Sequence, residues 1–313
     1  MKYIKDLAEG NNIRGIYFCK NKLSTETKNG KPYDSLILQD KSGTLDTKVW
    51  EPYSPGIGEY ETGDYIEVAG DVITFAGAKQ AKLTRIRKCQ EGEYDPADYM
   101  PCTKKNIEEM YAQVMAYVNG TENTYLKQLL LSFFGDETLA KRFKNASAAK
   151  SVHHGFIGGL LEHTLSVTNL CNYYCGAYPM LKKDLLISAA LLHDIGKIKE
   201  ISGFPENDYT DEGQLLGHIV MGSEMITEHA KEILDFPSQL LGELKHCILS
   251  HHGELEYGSP KKPALIEAVA LSFADNTDAK METFAEVLEN TESREWLGFN
   301  RYLETNLRMT GDL

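Results

Sequence analysis

A long apolar run ends in two adjacent polar residues past the middle of the chain. Residues 184–192 begin with a charged residue and are otherwise almost wholly apolar, and His193 and Asp194 follow directly. A helix that is apolar all round cannot be a surface helix, so we predict a central helix here. A carboxylate beside an imidazole can bridge two metal ions, and two ions can clamp the attacking and leaving oxygens of a phosphate ester. The run therefore predicts a helical core with a metal site at the end of its central helix.

Five other histidine and aspartate residues lie in, or directly after, similar runs that are predicted to be helical. The full set of predicted metal ligands is His163, His193, Asp194, His218, His251, His252 and Asp275. The runs that carry them or lead into them are residues 158–165, 184–192, 215–233, 240–252 and 264–274. Asp275 directly follows its run, and a carboxylate at the end of an apolar helix is unfavourable unless a cation compensates its charge. Imidazole and carboxylate ligands suit Mn²⁺, with Fe, Co, Ni and Mg as alternatives, whereas thiolates would indicate a structural zinc.

The first 90 residues have the pattern of a β domain. Five runs rich in β-branched and aromatic residues, bounded by turn residues, predict strands at 13–20, 33–39, 44–50, 64–72 and 80–87. Five short strands fit a small closed barrel, and their order matches an oligonucleotide/oligosaccharide-binding (OB) barrel. The predicted fold class is therefore multidomain α and β, with an N-terminal five-stranded OB-type barrel followed by an all-α domain.

Aromatic and basic residues of the predicted barrel suit a single-stranded nucleic acid. Exposed aromatic rings can stack bases, and lysines beside them can contact phosphates. The candidates are Phe18, Tyr33, Trp50 and Tyr53, with Lys20, Lys22 and Lys48. Alternation does not reveal which rings point inward, so burial in the barrel core is the alternative for each ring. The net charge is −13, but residues 1–90 carry 14 basic and 12 acidic residues, so this segment is the one suited to a polyanion.

The remaining features set the boundaries of the two domains. Residues 91–103 have two prolines and no periodicity, which predicts a linker between a barrel at 1–90 and a helical domain at 104–313. The six cysteines form no CxxC pair, so a cysteine metal site is not expected. No run is apolar enough to span a membrane and the N-terminus has no apolar signal region, so we expect a cytoplasmic protein. The sequence marks no interface, which leaves a homo-oligomer open.

The ligand pattern resembles the HD phosphohydrolase superfamily from residue 150 to 290. Its core is the adjacent pair His193-Asp194 followed by Gly196-Lys197. The resemblance implies one ion held by His163, His193, Asp194 and Asp275, and a second held by His218 and His251, with the part of His252 left open. Asp194 would bridge the ions, and Lys197 is a candidate to neutralise charge on the phosphate. A surface lysine just past a helix end is the alternative for Lys197.

Together with the barrel, these motifs make nearly the whole chain similar to the YhaM family of 3′-5′ exoribonucleases. The stretches that carry the similarity are residues 153–164, 190–197, 214–219, 249–254, 258–260 and 273–276. The family implies two divalent ions, typically Mn²⁺, and the release of nucleoside 5′-monophosphates from the 3′ end of single-stranded RNA, and often of DNA. His153 and His154 begin the first stretch, where they line the substrate entrance or simply start the ligand helix.

Three other functions remain open. A phosphohydrolase of small nucleotides has the same HD ligands, but it has little need of a base-stacking barrel. A cyclic-dinucleotide phosphodiesterase is suggested by His251-His252 and the later residues 258–260, although the Gly-Tyr-Pro tripeptide of that group is absent. A non-catalytic nucleic-acid-binding protein with a structural metal is disfavoured because all seven ligands are present.

Overall fold

The computed structural model describes residues 2–27, 29–75, 77–95, 98–150, 155–289 and 295–311. The chain divides into two compact units, Met1–Cys102 with Phe204–Glu206, and Thr103–Gly203 with Asn207–Leu313. The first unit contains a β-barrel and the second is mainly helical, which confirms the predicted fold class. Among the described residues, no helix combines the length and the apolar character needed to cross a bilayer.

Five strands form the barrel of the first unit. They are β1 (Asn12–Glu26), β2 (Pro32–Asp40), β3 (Gly43–Val49), β4 (Tyr65–Phe75) and β5 (Ala78–Lys88). They close in the order β1-β2-β3-β5-β4, with β3 and β5 parallel and the other neighbouring strands antiparallel. This five-stranded closed order is that of an OB-type barrel.

The barrel core follows from the alternation of side chains along the strands. Leu36 and Leu38 on β2 are buried two residues apart, so one face of the strand points into the barrel. Gly70 lies where the pairing of β4 with β5 shifts register, and a Cβ there would come within 2.1 Å of the carbonyl oxygen of Lys82. A glycine at this position lets the two backbones approach closely at the shift.

The segment predicted to be a linker packs on the barrel. Tyr94 stacks on Tyr65 with ring centroids 3.8 Å apart. The carbonyl oxygen of Tyr99 accepts a hydrogen bond of 3.1 Å from the side-chain amide of Gln39. Aromatic rings have a large apolar surface to bury, and the first unit accordingly extends to Cys102.

The second unit is built from helices. Among the described residues they are α1 (Ile107–Gly120), α2 (Thr124–Phe134), α3 (Glu137–Asn145), α4 (Gly159–Ala177), α5 (Lys183–Leu192), α6 (Lys197–Glu200), α7 (Asp211–Lys231), α8 (Ser238–Leu249) and α9 (Ile266–Glu289). Side-chain oxygens of Asn106, Asn123, Asp136 and Thr210 accept backbone N–H groups at the starts of α1, α2, α3 and α7. A cap of this kind typically stabilises a helix by about 1 kcal/mol.

Helix α5 is the central helix expected from the apolar run. Every residue from Leu185 to Leu192 is buried, and α5 contacts α4, α8 and α9. Its C-terminal end leads directly into His193 and Asp194. The lack of a polar face on this helix is therefore explained by neighbours on several sides.

Three features of this unit differ from the sequence prediction. Helix α9 continues to Glu289, so Asp275 lies in a helix interior and not at a helix end. Helix α8 ends at Leu249, and His251 and His252 lie in the loop after it. Strands β6 (Trp296–Asn300) and β7 (Thr305–Arg308) form an antiparallel hairpin in a region expected to be helical.

Tertiary packing explains why α9 does not stop at Asp275. The polar residues 276–278 are poor helix formers on average. Leu271 and Ala274 on one side of this stretch are buried, and so is Thr283 beyond it. The buried residues before and after the polar stretch therefore keep it helical, because propensity is a weak preference that packing overrides.

Candidate metal centre

Five segments of the helical unit present the seven predicted ligands. His163 lies in the first half of α4, His193 and Asp194 follow α5, His218 lies in α7, His251 and His252 follow α8, and Asp275 lies in α9. Within these segments the side chains converge from residues that are up to 112 positions apart in the chain. The structure therefore brings together all seven residues that the sequence singled out.

The first group of ligand atoms belongs to His163, His193 and Asp275. One nitrogen or oxygen of each residue lies within 4.8 Å of the corresponding atoms of the other two. The Nε2 atom of His163 is 3.2 Å from Nε2 of His193 and 3.2 Å from Oδ1 of Asp275. Two imidazoles and a carboxylate at this spacing can hold one divalent ion.

The second group consists of His218, His251 and His252. One ring nitrogen of each lies within 4.8 Å of those of the other two. The rings of His251 and His252 are 4.3 Å apart and nearly perpendicular. His252 thus lies with the other two imidazoles, although the sequence left open whether it is a direct metal ligand.

Asp194 lies between the two groups and presents one carboxylate oxygen to each. Its Oδ2 atom is 3.5 Å from Nε2 of His163 and 3.4 Å from Nε2 of His193. Its Oδ1 atom is 3.4 Å from Nε2 of His218 and 3.7 Å from Nε2 of His251. This is the arrangement that a carboxylate needs in order to bridge two ions.

The Nδ1 atom of every candidate imidazole has an acceptor. The acceptors are the carbonyl oxygens of Ala190 for His193 (2.8 Å), Ile248 for His251 (2.7 Å) and Tyr257 for His252 (2.7 Å), and the carboxylates of Asp278 for His163 (2.7 Å) and Glu200 for His218 (3.0 Å). A ring that donates from Nδ1 directs Nε2 at the site, and such partners fix the orientation of metal-binding histidines. The tautomer needed for binding through Nε2 is therefore built into the surrounding structure.

Glu200 and Asp278, whose carboxylates contact two candidate ligands, were missed by the sequence reasoning. Asp278 lies one turn after Asp275 in α9, beyond the point at which the sequence was expected to end this helix. The spacing of Asp275 and Asp278 places both carboxylates on one helix face once the helix is continued, and this was the available signal. Glu200 ends the short helix α6, and nothing in its local sequence indicates that it faces His218.

Close packing of α6 against α7 positions His218. A Cβ on Gly196 would lie 2.1 Å from the carbonyl oxygen of His218, so position 196, directly before Lys197, requires glycine. Gly217, directly before His218, has φ of +72° and ψ of 155°, which interrupts α7 at this point. This positive φ strongly favours glycine. Both glycines thus allow His218 to face Asp194.

Three buried atoms test whether the residues fit a metal. Oδ1 of Asp194 and the Nε2 atoms of His218 and His251 have no hydrogen-bond partner among the described residues. Buried polar atoms are nearly always paired, and these three face one another at 3.4 and 3.7 Å. One cation among them would satisfy a carboxylate oxygen and two ring nitrogens together, so the donor set fits a divalent ion.

The charges around the site favour bound cations. Burial raises the pKa of Asp194, but the positive charges of Lys197 and His163 outweigh it, so this pKa lies well below its usual range. Burial opposes charge on His163 as well, yet hydrogen bonds to Asp275 and Asp278 raise its pKa to about 10. The carboxylates of Asp275 and Asp278, which favour a proton on His163, would also favour a metal cation beside it, because metal and proton compete for the same nitrogen.

The other buried imidazoles are kept neutral. Burial lowers the pKa of His193, of His251 and of His252, with further lowering of the His251 pKa by His252 and of the His252 pKa by His218. Neutral imidazole is the form that binds metals. These rings are therefore ready to act as ligands near neutral pH.

Comparison with known proteins places this site in a family. The HD domain family matches residues 160–280, a range that includes all seven candidate ligands. A 3′-5′ exoribonuclease YhaM from Bacillus velezensis is 36% identical over 290 residues, covering 92% of this chain and 91% of that protein. The YhaM proteins of Bacillus pumilus (38% identical, covering 86% of this chain and 85% of that protein) and Listeria monocytogenes (33%, covering 94% of each) are also similar.

The chain belongs to the YhaM family of 3′-5′ exoribonucleases. A solved structure, the second OB-fold domain of replication protein A from Methanococcus maripaludis, is 19% identical and covers 30% of this chain and 98% of that domain. Its TM-score is 0.24, so the OB-type assignment of the barrel rests on the strand order alone.

Lys197 of this YhaM-family chain lies inside the site and not on the surface. Its ammonium is 2.7 Å from Oδ2 of Asp194, and its side chain is largely buried. Burial lowers the pKa of Lys197, but the Asp194 carboxylate outweighs this and raises it. The alternative of a surface lysine past a helix end is therefore wrong.

A cavity of about 530 Å³ opens over the candidate ligands. His163, His218, His252 and Asp275 line it together with Lys197. Its other walls come from Ala148, Ala149, Glu200, Ile201, Tyr209, Tyr257, Asn276 and Ala279. The cavity is within the size range of ligand pockets, about 300–1,000 Å³. His153 and His154, expected either to start the ligand helix or to line the substrate entrance, lie outside the described residues.

The predicted nucleic-acid-binding residues of the barrel fall into different environments. Phe18 is only 4% exposed and packs against Tyr65 with ring centroids 5.2 Å apart, so it cannot stack a base. It lies on the opposite side of β1 from the core residues Tyr17 and Cys19, but the rings of Tyr65 and its neighbours cover that side. Tyr53 is 87% exposed, and Tyr33 stacks on the exposed Trp50 at 5.0 Å.

The three lysines predicted to contact phosphates also lie in different environments. Lys22 donates to the carbonyl oxygen of Tyr60 and pairs with Glu61 at 3.0 Å. Lys48 donates to Ser35 and pairs with Asp46 at 3.1 Å. Lys20 is exposed. Because two of the three lysines have partners within the barrel, the prediction of lysine contacts to phosphates is weakened for Lys22 and Lys48.

Two arginines that the sequence reasoning did not select lie in one row across the barrel. Arg14 on β1 pairs with Ala69 on β4, which pairs in turn with Arg85 on β5. Paired residues of neighbouring strands point to the same face, so the two exposed guanidinium side chains flank a small alanine. A groove of about 430 Å³ lies here. Neither arginine has an acidic partner among the described residues.

Proposed function

We propose that this chain is a divalent-metal-dependent 3′-5′ exonuclease that shortens single-stranded RNA to nucleoside 5′-monophosphates, with single-stranded DNA as a second substrate. As a member of an exoribonuclease family the chain is a hydrolase. The observation that carries the proposal is the Asp194 carboxylate, which presents one oxygen to each of two groups of imidazoles. The buried atoms that lack partners on its Oδ1 side support metal binding there.

Two ions fit the donor set. His163, His193 and Asp275 would hold one, His218, His251 and His252 would hold the other, and Asp194 would contribute to both. When bound, such a pair supplies a water of lowered pKa and stabilises the charge on the attacking and leaving oxygens of a phosphodiester. The histidine and carboxylate ligands suit Mn²⁺.

The chain's own residues prepare this site for a phosphodiester. Asp278 and Glu200 hold the rings of His163 and His218 in place, which spares the cost of ordering them during the reaction. Lys197 lines the same cavity and can donate to a phosphate oxygen. Aligned ligands and a fixed cation together favour the charge that develops on the phosphate.

The barrel is proposed to hold the single strand whose end is cut. Tyr53 and the stacked pair Tyr33 and Trp50 offer aromatic surface to bases. Lys20, Arg14 and Arg85 offer exposed positive charge to the phosphates. A phosphohydrolase of small nucleotides has no use for this surface, which favours a polynucleotide substrate.

A single experiment with parallel substrates tests the proposal. The protein with Mn²⁺ is incubated with 5′-labelled single-stranded RNA, a circular RNA, a cyclic dinucleotide and nucleoside triphosphates. We expect a descending ladder from the linear RNA, release of mononucleotides, and no activity of Asp194→Asn on any substrate. Cuts in the circle, or faster turnover of the cyclic dinucleotide or of triphosphates than of RNA, would contradict the proposal.

A further inference from the structure

Two tyrosines lie at the candidate metal centre, and their rings do not help to hold the candidate metal ligands. Tyr209 and Tyr257 line the same cavity as His218 and His252. Their rings remain accessible, since Tyr209 is 43% and Tyr257 is 69% exposed. Exposed apolar atoms are common on protein surfaces, but Tyr209 and Tyr257 also line the cavity over the candidate ligands, where they offer aromatic surface to a bound molecule.

The backbone of Tyr257 is fixed although its ring is exposed. Its carbonyl oxygen accepts the Nδ1–H of His252 at 2.7 Å, and its N–H donates to the carbonyl of Glu254 at 3.2 Å. The turn that contains it, Leu255–Tyr257, ends at Gly258, whose φ is +91°. The ring is therefore attached directly to the segment that orients a candidate metal ligand.

Tyr209 is anchored to the other side of the site. It forms an antiparallel bridge with Ile201, and its N–H donates to the carboxylate of Asp208 at 2.7 Å. The next residue, Thr210, caps α7 and donates its N–H to the carbonyl of Glu200 at 2.9 Å. Tyr209 thus holds a defined place beside the helices that carry Lys197 and His218.

The cavity therefore combines two kinds of chemistry. Imidazoles, carboxylates and Lys197 suit a phosphate, and the tyrosine rings suit a flat apolar group attached to it. A nucleotide has this composition, because a base with a π-face is joined through a sugar to a phosphate. A bare phosphate, a sugar phosphate or a lipid headgroup would leave the aromatic surface unused.

We propose that Tyr209 and Tyr257 form a base-binding subsite that receives the base of the 3′-terminal nucleotide while its phosphodiester lies over the metal ligands. This inference rests on the proposed exonuclease function and names the part of the substrate that the cavity recognises. Stacking is tolerant of sequence because every base has a π-face. The subsite accordingly accepts all four bases and discriminates against a terminal nucleotide that has none.

The test is a cycle that varies the base and the tyrosines together. Two 5′-labelled RNAs that are identical except for a normal or an abasic 3′-terminal nucleotide are compared by kcat/KM. The wild type should prefer the normal end by about 5- to 150-fold, the ratio that corresponds to stacking of one base. In the double variant Tyr209→Ala, Tyr257→Ala this ratio should fall towards one, whereas the double Phe variant should keep it.

A second readout does not depend on turnover. Binding of a nucleoside 5′-monophosphate and of ribose 5-phosphate to the Mn²⁺-loaded protein is measured by titration calorimetry. The nucleotide should bind more tightly to the wild type, and the difference should disappear in the double Ala variant. Tyr173→Ala is the matched control, because Tyr173 is 70% exposed on α4 and does not line the cavity.

The outcomes separate this inference from the proposed function. A base-dependence ratio that is unchanged in the folded double Ala variant overturns the subsite, even if RNA hydrolysis is normal. A wild type that hydrolyses neither RNA overturns the proposed function, and the calorimetric comparison then still decides whether the tyrosines bind a base. Thermal unfolding of each variant verifies its fold, which should persist because both rings are substantially exposed.

Discussion

Replacing Glu200 should weaken one of the two candidate metal sites and leave the other intact. Oε1 of Glu200 accepts two hydrogen bonds from His218, from its backbone N–H at 2.9 Å and from its Nδ1 at 3.0 Å. Glu200 is buried, and among the candidate imidazoles it contacts His218. Its carboxylate therefore acts on the group of His218, His251 and His252, and not on the group around His163.

The expected magnitude follows from what these contacts do. Loss of a carboxylate that orients a metal-binding histidine typically lowers metal affinity by about 10- to 100-fold, which corresponds to about 1.4–2.8 kcal/mol. Glu200→Ala removes both hydrogen bonds and the negative charge, so it should show a loss in this range. Glu200→Gln keeps an acceptor oxygen but removes the charge, so its affinity should lie between those of the Ala variant and the wild type.

The assay is a Mn²⁺ titration followed by the electron paramagnetic resonance signal of the free ion. The wild type should bind two ions, and Glu200→Ala should bind one with wild-type affinity and the other weakly. Glu162→Gln is a matched control, because Glu162 is also a buried carboxylate of this domain but bonds Thr103 and Lys105. Its two affinities should equal those of the wild type.

Two results would refute this reasoning. Unchanged affinities in a folded Glu200→Ala variant would mean that His218 does not hold an ion. Equal weakening of both sites would mean that the effect is a general loss of structure. The melting temperature of the metal-free variant distinguishes the second result from a local change, and Glu200→Gln provides the comparison if the Ala variant does not fold.

Three further predictions concern the barrel, the fold and the substrate end. The double variant Arg14→Gln, Arg85→Gln should make the slope of log K for single-stranded RNA binding against log[salt] about 1.4 less negative, because each phosphate contact contributes about −0.7. Fluorescence anisotropy measures this slope, and an unchanged slope would show that the groove does not bind the strand. Burial lowers the pKa of His229 below its ordinary 6.5, so this histidine should reduce the stability of the wild type as the pH drops below 6.5 and should have no such effect above it. Urea unfolding of His229→Gln at pH 7.5 and 5.5 should give a smaller fall than in the wild type, and an equal fall would rule out this contribution. An RNA with a 3′-phosphate should resist degradation, because an added dianion must lie beside Asp194 and Asp275; degradation at the rate of the 3′-hydroxyl RNA, followed on gels, would contradict this.

The local sequence was sufficient to predict the main helices and strands. The apolar run at 184–192 predicted a helix buried on several sides, and α5 is buried from Leu185 to Leu192. Five alternating runs predicted five strands, and their closed order is observed. The seven candidate ligands, chosen from their residue types and from the resemblance to the HD superfamily, lie close together in the structure, and their role in metal binding stays a prediction. The predicted helix and strands are confirmed because helical and strand periods depend on residues that are near one another in the chain.

The sequence could not determine which side chains of the barrel are accessible. Phe18 and Tyr53 are both aromatic residues of the predicted barrel, yet one is buried and the other exposed. The difference arises because Tyr65, with Tyr94 and Tyr99 packed around it, covers the face of β1 on which Phe18 lies. Similarly, the partners of Lys22 and Lys48 depend on neighbouring strands and loops. Alternation assigns a residue to a face, but tertiary packing decides whether that face meets water.

The partners that orient the candidate ligands were decided by tertiary structure alone. His163 and Asp278 are 115 residues apart in the chain, and their side chains meet at 2.7 Å. Glu200 reaches His218 because glycines let α6 lie against an interrupted α7. Local sequence identified histidines and carboxylates that could bind metal, since residue type determines that chemistry. Their convergence and the hydrogen bonds that fix each ring follow from the packing of α4, α6, α7 and α9 in the helical unit, which depends on contacts between distant segments.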